Sequence, residues 1–560
     1  MFWKSIQGND KEKRMRHIIV LAFIAAILLR PGNTKGDFIC GEPFLVPNVS
    51  SDYDDTYVRI AADGLSLYIT SYRPGGYGER DLWVAQRSTK NDEWGTPVNL
   101  GPKVNSRGWD ACASISTDNL ALYFYSQDRP GGYGGLDLWV STRETTEDDW
   151  GDAVNLGPPF NSAGHEWAPY ISADNLSLYF ACDWSGGSGS VDMWMSARET
   201  THDDWGTPVN LGSTVNWWGW DCKTDISADG RTLFFTRREP PSEDYDIWVT
   251  RRATIHNDWG TPVPLPINTS YAEASQSISA NGSILYFVSN RPATPGGVDI
   301  WQAPIEPVVD LNGDGVVNAV DLCIMVDHWG KNYPLCDIGP TPLGDGIVDV
   351  QDLIVLSEHL FEDYRIMAHW MLDETEDNVA FDSIHGNDGT LNGDPMWQPA
   401  QGQVNGALQF DGEGGYVSTP FILDPTAGPF SVFAWIKGDE AGRIILSQAG
   451  SYCDWLATDS TGKLKTDLPY PLPALESDWV ITDDIWHQIG LVCDTASTIL
   501  YMDGAEVVRN NFSPIMPAQG GLYIGAGKDL EPGTFWSGLI DDIRIYSVAL
   551  SAEEIEALAR

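Results

Sequence analysis

Residues 40–305 repeat one unit five times, and this repetition limits the possible fold more than any other feature of the chain. The first unit holds "IAADGLSLYITSYRPGGYGERDLWVAQR" and then "WGTPVNLGPKVNS"; the second holds "ISTDNLALYFYSQDRPGGYGGLDLWVSTR" and then "WGDAVNLGPPFNS". The third and fourth open with "ISADNLSLYFACDW" and "ISADGRTLFFTRR", and the fifth, "ISANGSILYFVSNRPATPGGVDIWQAP", stops early. The turn residues Asp63, Asp118, Asp174, Asp229 and Asn281 recur every 52–56 residues. Each unit reads as four short strands. A turn of the S-x-D-G/N kind joins the first two, and the "LYF" alternation marks the second. Trp83, Trp139, Trp194, Trp248 and Trp301 mark the third, and "WGTPVNL" begins the fourth. Four-stranded sheets repeated radially make a β-propeller. The fifth unit lacks its fourth strand, and "CGEPFLVPN" (Cys40 to Asn48) stands ahead of the first. The N-terminus is therefore expected to supply the outer strand of the last blade, leaving no open sheet edge.

The pattern "ISxDGxxLYFxSxRxGGxGxxDLW" resembles the TolB-type, WD-like propeller repeats of bacterial envelope proteins. That resemblance implies a five-bladed propeller over residues 40–305, serving as a protein- or glycan-binding platform and tied to no single chemistry.

Within the repeats an acid stands five residues before each repeat's Ile: Asp55, Asp110, Glu166, Asp221 and Glu273. Asn105, Asn161, Asn216 and Asn268 precede four of them by a further five residues. The position falls where the chain enters the innermost strand, at one mouth of the central channel. Three readings stay open. The acids can accept backbone N–H bonds and tie neighbouring blades together. They can converge on a cation or ligand. They can act in catalysis, but a glycosidase needs two carboxyl groups in different environments, which a near-symmetric ring does not offer. Two local features break the symmetry: His165 beside Glu166, and the "NWWGWD" stretch that sets Trp217, Trp218 and Trp220 next to Asp221. Tryptophan faces stack on sugar C–H surfaces, though these three can equally pack between blades. The five acids and three tryptophans form the candidate ligand-binding set, and no residue is assigned a catalytic role.

The next segment, "DLNGDGVVNAVDL", sets Asp310, Asn312, Asp314 and Asp321 at positions 1, 3, 5 and 12 of a calcium loop. Gly315 falls at position 6, where a sharp turn is needed; the Val316 carbonyl falls at position 7 and Asn318 at position 9. The loop ends in Asp where EF-hands end in Glu, and in this it is similar to type I dockerins. In a second half-loop Asp345, Gly346, Asp349 and Asp352 match positions 5, 6, 9 and 12. Its positions 1 and 3 fall on Thr341 and Leu343, and Asp337 serves only if the loop is enlarged. "AVDLCIMVDHWG" and "VQDLIVLSEHLF" are expected to be paired helices. The resemblance implies a Ca²⁺-binding, dockerin-like module over residues 306–362 and a cohesin-type protein partner.

Residues 366–560 carry alternating strands with Gly/Asp turns: "GALQFDGEGGYVS", "FSVFAWIKG", "WHQIGLVCD", "STILYMDGAEVV" and "GLIDDIRIY". This is the pattern of a two-sheet sandwich. The order resembles the LamG-like, concanavalin A-like jelly roll, whose members commonly bind glycans or proteins. Some glycosidases share that fold, but the E-x-D-x-x-E run they need is absent from the sequence. The expected fold class is therefore mainly β: a five-bladed propeller, a small helical calcium module and a C-terminal β-sandwich.

Basic residues followed by "IIVLAFIAAILL" (Ile18 to Leu29) read as a signal peptide over residues 1–36, and no other stretch is apolar enough to span a bilayer. The formal charge of -45 argues against nucleic acid or anionic membranes as partners. In an exported chain cysteines can pair, and Cys323–Cys336 and Cys453–Cys493 are the expected disulfides. Taken together these features describe a secreted or cell-surface, non-catalytic protein that binds a polysaccharide or cell-surface glycan and attaches to a cohesin-type partner. Two alternatives remain: a glycoside hydrolase acting at the propeller mouth, and an extracytoplasmic protein-interaction scaffold.

Overall fold

The computed structural model describes residues 38–239, 244–292, 295–468, 472–513 and 517–560. The expected signal peptide lies outside the described residues. The chain divides into two units: one contains residues 1–312 and 317–360, the other residues 313–316 and 361–560.

The first unit is a five-bladed β-propeller with a small helical module. Four blades are four-stranded antiparallel sheets in sequence order. In the first blade the strands are Asp55–Ile60, Ser66–Ser71, Asp81–Gln86 and Val98–Asn99. The second strand of every blade carries the apolar run read from the sequence and is buried along nearly its whole length: Leu67, Leu122, Leu178, Leu233 and Leu285 are all fully buried. The fifth blade takes its outer strand from the other end of the repeat array. Phe44–Leu45 pairs with Gln302 and Trp301, and Phe38–Cys40 pairs further along with Ile305–Pro307. Val46 N–H donates to the Ile300 carbonyl at 2.9 Å, and Val46 and Val49 are buried in the seam.

The module carries two nine-residue helices, α1 (Ala319–Asp327) and α2 (Val350–Glu358). Each starts with the same capping box. Asn318 caps α1 with Asp321 reaching back, and Asp349 caps α2 with Asp352 reaching back. Two orphan N–H groups are thereby satisfied reciprocally at each helix start. The core between the helices includes Val317, Met325, Cys336, Ile338, Val348 and Leu356.

The second unit is a jelly-roll sandwich of two eight-stranded antiparallel sheets. One is centred on Ser537–Tyr546 and Phe430–Lys437, the other on Leu522–Ile524 and Ile444–Gln448. Trp370, Trp455 and Trp536 are completely buried in its interior. Helix α3 (Ala552–Leu558) ends the chain. No helix among the described residues is long and apolar enough to cross a membrane.

All eight cysteines are free thiols, so neither expected disulfide is present. Cys323 faces solvent on α1 while Cys336 is buried in the module's core. Cys453 and Cys493 are both buried, and the Cys493 thiol contacts Thr498 Oγ1 at 3.9 Å.

Candidate functional site

The five ring acids lie at the starts of the innermost strands, and all five are fully buried. Each accepts the backbone N–H of the residue four positions earlier, in the loop arriving from the preceding blade: Ser51, Ser106, Ser162, Trp217 and Thr269. In four blades an arginine from the end of the second strand holds the other oxygen. Arg73 meets Asp55 at 2.7 Å, Arg129 meets Asp110 at 3.0 Å, Arg237 meets Asp221 at 2.7 Å and Arg291 meets Glu273 at 3.1 Å. The same arginines donate to the carbonyls of Val49, Val104, Val215 and Ile267 in the arriving loops. In the third blade Trp184 stands where the others have arginine, and its indole N–H donates to Glu166. The loop asparagines complete the tie. Asn105, Asn161, Asn216 and Asn268 each bond the N–H and C=O of one third-strand residue. The acids are thus internal struts, each satisfied by donors of its own loop and blade.

The cavity opens beside them. It has a volume of about 610 Å³, within the usual range for small-molecule sites. Around it each innermost strand carries a bulge just after its acid. Bulges re-aim a side chain at the cost of ladder pairing. Cys112, Ala168, Lys223 and Ser275 occupy the second position after the acid with φ of 56°, 50°, 58° and 53°, a left-handed backbone uncommon outside glycine. Tyr57 is the corresponding residue of the first blade. The strained backbone is shared by four of the five blades, but the side chains it presents are not.

One side of the cavity carries Arg80, which donates to the Tyr125 hydroxyl at 3.2 Å and also to that of Tyr72. Its guanidinium lies 4.7 Å from the ring centroids of both Tyr72 and Trp109, and its Nε is buried with no partner. The other side carries Lys223, whose ammonium lies 4.7 Å from the Tyr57 ring and 5.1 Å from the Tyr245 ring. Burial pulls the Lys223 amine below the usual lysine range. Burial also pushes the neighbouring Cys112 and Cys222 thiols up to about 12 and about 11, so both stay neutral. Trp167, Trp220 and His165 complete the wall, and Asp183 is the one carboxylate among the described lining residues. Deeper in the channel Arg59, from the first blade, pairs with Asp225 of the fourth at 2.8 Å and lies 4.6 Å from the Tyr170 ring.

Of the three tryptophans singled out in the sequence, Trp220 lines the cavity. Trp217 stacks on Trp218 with centroids 5.1 Å apart and lies 5.6 Å from the Arg237 guanidinium. Trp218 is exposed on the surface. Arg80, Tyr57, Tyr125, Lys223 and Tyr245 were not singled out by the motif reading. The signal that finds Tyr57, Lys223, Arg80 and Tyr245 is variability: the residues two positions after the ring acid (Tyr57, Cys112, Ala168, Lys223, Ser275) differ in every blade, and those just before the constant third-strand Asp (Arg80, Leu136, Val191, Tyr245, Val298) take four identities in five blades.

In the helical module, Asp321 accepts the N–H groups of Leu311, Asn312 and Asn318. Asp352 repeats this with Ile338, Gly339 and Asp349. The correspondence pairs Asp337 with Asp310, so the second loop is enlarged and its first position is Asp337, not Thr341. Asp337 accepts from the N–H groups of Asp345 and Gly346, both at 2.7 Å. Arg231, from the hairpin turn of the fourth blade, reaches into this loop. Its Nη2 lies 3.7 Å from Asp337 Oδ2, and a Cβ on Gly346 would overlap its Nη1. Leu343, in the enlargement, is buried in the same apolar cluster as Phe234, Ile278 and Leu285. In the first loop Asn318 accepts from Val320 N–H and Asp314 from Val316 N–H. Gly313 and Gly315 take left-handed φ of 74° and 89°, as a tight acidic loop requires. No group of three or more His, Cys, Asp or Glu is gathered as for a metal ion among the described residues.

In the sandwich, burial pushes the Asp541 carboxyl up to about 7, with Asp542 and Asp373 adding to the shift. Its Oδ2 accepts from Val404 N–H at 2.8 Å while its buried Oδ1 has no hydrogen-bond partner.

Residues 411–556 match the family model of the concanavalin A-like lectin/glucanases superfamily. No curated protein matches the chain. Among solved structures, the chain is similar to Trypanosoma rangeli sialidase in complex with the inhibitor DANA, at 13% identity and a TM-score of 0.37, covering 90% of this chain and 94% of that one. It is also similar to domain 4 of AbnA, a GH43 extracellular arabinanase from Geobacillus stearothermophilus in complex with arabinotriose. That match has 20% identity and a TM-score of 0.28, and covers 35% of this chain and 98% of that one. TM-scores this low carry no argument about fold or activity.

Proposed function

We propose that the chain is a secreted or cell-surface, non-catalytic carbohydrate-binding protein with two binding elements, the propeller mouth and the lectin-like sandwich. The observation that carries this reading is the make-up of the mouth. It is a pit walled by aromatic faces, among them Trp167, Trp220 and Tyr245, with a single lining carboxylate among the described residues, Asp183. Stacking faces suit sugar rings, whereas glycoside hydrolysis ordinarily needs two carboxyl groups flanking the bond. The five ring acids do not supply the second one, because internal donors hold them away from the cavity. The match of residues 411–556 to a lectin-containing superfamily supports a glycan role for the sandwich.

The helical module is proposed to hold Ca²⁺ in its first loop, through Asp310, Asn312, Asp314, the Val316 carbonyl, Asn318 and Asp321, and to attach the chain to a cohesin-type partner. The donor set fits a hard cation. Asp321 has three N–H partners and retains acceptor capacity for a metal. When bound, the ion would add folding stability to the loop. The repeated capping box and repeated loop contacts support the two-fold design a dockerin-like module needs.

Screening the full chain on a glycan array and on chromogenic glycosides tests the reading. Glycan binding without hydrolysis is expected. Turnover would replace it with the hydrolase alternative, and an absence of binding to any glycan would leave the interaction scaffold.

A further inference from the structure

The propeller satisfies its part-buried cations in two recurring ways, and two cations of the cavity wall follow neither. Arg87, Arg143, Arg198 and Arg252 donate to hairpin-turn carbonyls and lie 4.2–4.4 Å from a tryptophan ring. Arg59, Arg73, Arg129, Arg237 and Arg291 each face a carboxylate within 3.1 Å. Arg80 and Lys223 have none among the described residues. Arg80 has only tyrosine hydroxyls and aromatic faces, and its Nε is left without a partner. Lys223 has only ring faces. Leaving a buried charge uncompensated is costly, and these two cations raise each other's cost by repulsion. Both line the same cavity, in a chain whose formal charge is -45.

Backbone geometry reinforces the point. The Lys223 side chain is aimed into the cavity by a left-handed residue, φ 58°, at a bulge. Strained positions of this kind cluster at ligand-binding sites. Three other blades repeat the left-handed residue with Cys112, Ala168 and Ser275, so the strain is shared by four blades while the charge is particular to one.

We infer that the propeller mouth is an anion site, and that its ligand is a sugar bearing a carboxylate or sulfate group held by Lys223 and Arg80. The sugar ring lies against the aromatic wall and the anionic group supplies the missing counter-charge. A charge-assisted bond to a partly desolvated ammonium is stronger than one between neutral groups, so the acidic group, more than the ring, decides which glycan enters. This inference rests on the carbohydrate reading above, and it names the class of sugar.

The test is titration calorimetry on the full chain with three probes: a galacturonic acid oligosaccharide, its neutral galactose counterpart of equal length, and a sulfated galactose oligosaccharide. The same titrations are run on Lys223→Met, which removes the charge, keeps the stem and disturbs no hydrogen bond, and on Arg80→Gln. At least one acidic probe is expected to bind about tenfold or more tightly than the neutral one. It should lose that advantage in Lys223→Met while circular dichroism and the melting temperature hold. Preference for the uronic acid over the sulfated probe assigns a carboxylate, and the reverse assigns a sulfate. Equal binding of neutral and acidic probes, or acidic binding unmoved by Lys223→Met, overturns the inference and leaves the carbohydrate reading in place. Failure of all three probes, together with an empty glycan array, overturns both. Should Arg80→Gln fail to fold, Lys223→Met alone decides.

Discussion

Arg237 Nε donates to Asp221 Oδ1 at 2.7 Å while its Nη2 donates to the Val215 carbonyl at 2.6 Å, so one guanidinium ties the strut acid of the fourth blade to the loop that enters it. Both partners are buried, and burial pushes the Asp221 carboxyl up against the pull of Arg237. Asp221→Ala is expected to cost about 3–5 kcal/mol, because it strands a buried guanidinium. Asp221→Asn should cost nearly as much. Glu166→Gln should cost less, since its donors are the neutral Ser162 and Trp184. Urea unfolding of the three variants checks this, and equal losses for Glu166→Gln and Asp221→Asn would contradict it.

Closure of the ring makes a second expectation. Val46 is buried in the seam of the fifth blade, whereas Phe44, two residues earlier, is half exposed. Val46→Ala should lower the melting temperature, in line with roughly 1.5–3 kcal/mol for a fully buried apolar side chain, and Phe44→Ala should do so less. Deleting residues 40–48 should cost far more, because it leaves the strand Asp299–Pro307 with an open edge. A deletion variant that melts like the parent would show that this strand is dispensable.

The blades and the strand exchange at the seam were legible in the sequence because both depend on patterns that repeat: the apolar "LYF" run, buried continuously where alternation was expected, the Trp of the third strand and the fixed spacing of turns. The same logic misdirected attention at the site. Asp55, Asp110, Glu166, Asp221 and Glu273 recur because a repeated blade needs a repeated strut, and a position that every blade must fill is poorly placed to define one ligand. The cavity's cations lie in the variable columns beside those acids. Their role depends on which carboxylates do not come near, a three-dimensional fact that no local motif carries. The enlarged second loop was only half legible. Its capping positions, Asp349 and Asp352, follow the period of the first, but assigning Asp337 to its first position required seeing Asp345 N–H and Gly346 N–H turn towards it.

Arg231 Nη2 lies 3.7 Å from Asp337, so on the proposed calcium reading its guanidinium takes the place of an ion in the second loop. Calcium titration of the full chain is therefore expected to give one ion per chain, at the first loop. Asp310→Ala should abolish that binding, whereas Asp349→Ala should leave it. Arg231→Ala should raise backbone amide exchange across residues 337–348, since it removes the guanidinium packed against Asp337 and Gly346. Two ions per wild-type chain would show that Arg231 yields its place.

Asp541 makes the stability of the sandwich depend on pH with an unusual sign. Burial raises its carboxyl to about 7, well above the usual aspartate range, so the folded state holds a proton that the unfolded chain releases. A carboxyl raised in this way contributes stability that is complete below about pH 4, its unfolded range, and that fades as the pH rises through about 7. Most paired carboxylates act in the opposite direction, as Asp542 does beside His369 and Arg544, where its carboxyl is held below the usual range. Asp541→Asn mimics the protonated form and keeps an oxygen for Val404 N–H. It is expected to match the parent at pH 5 and to melt higher than the parent at pH 8. Calorimetry of the sandwich transition at the two pH values decides it: a variant that loses stability equally at both would mean that the Asp541 carboxyl is ionised in the folded protein throughout.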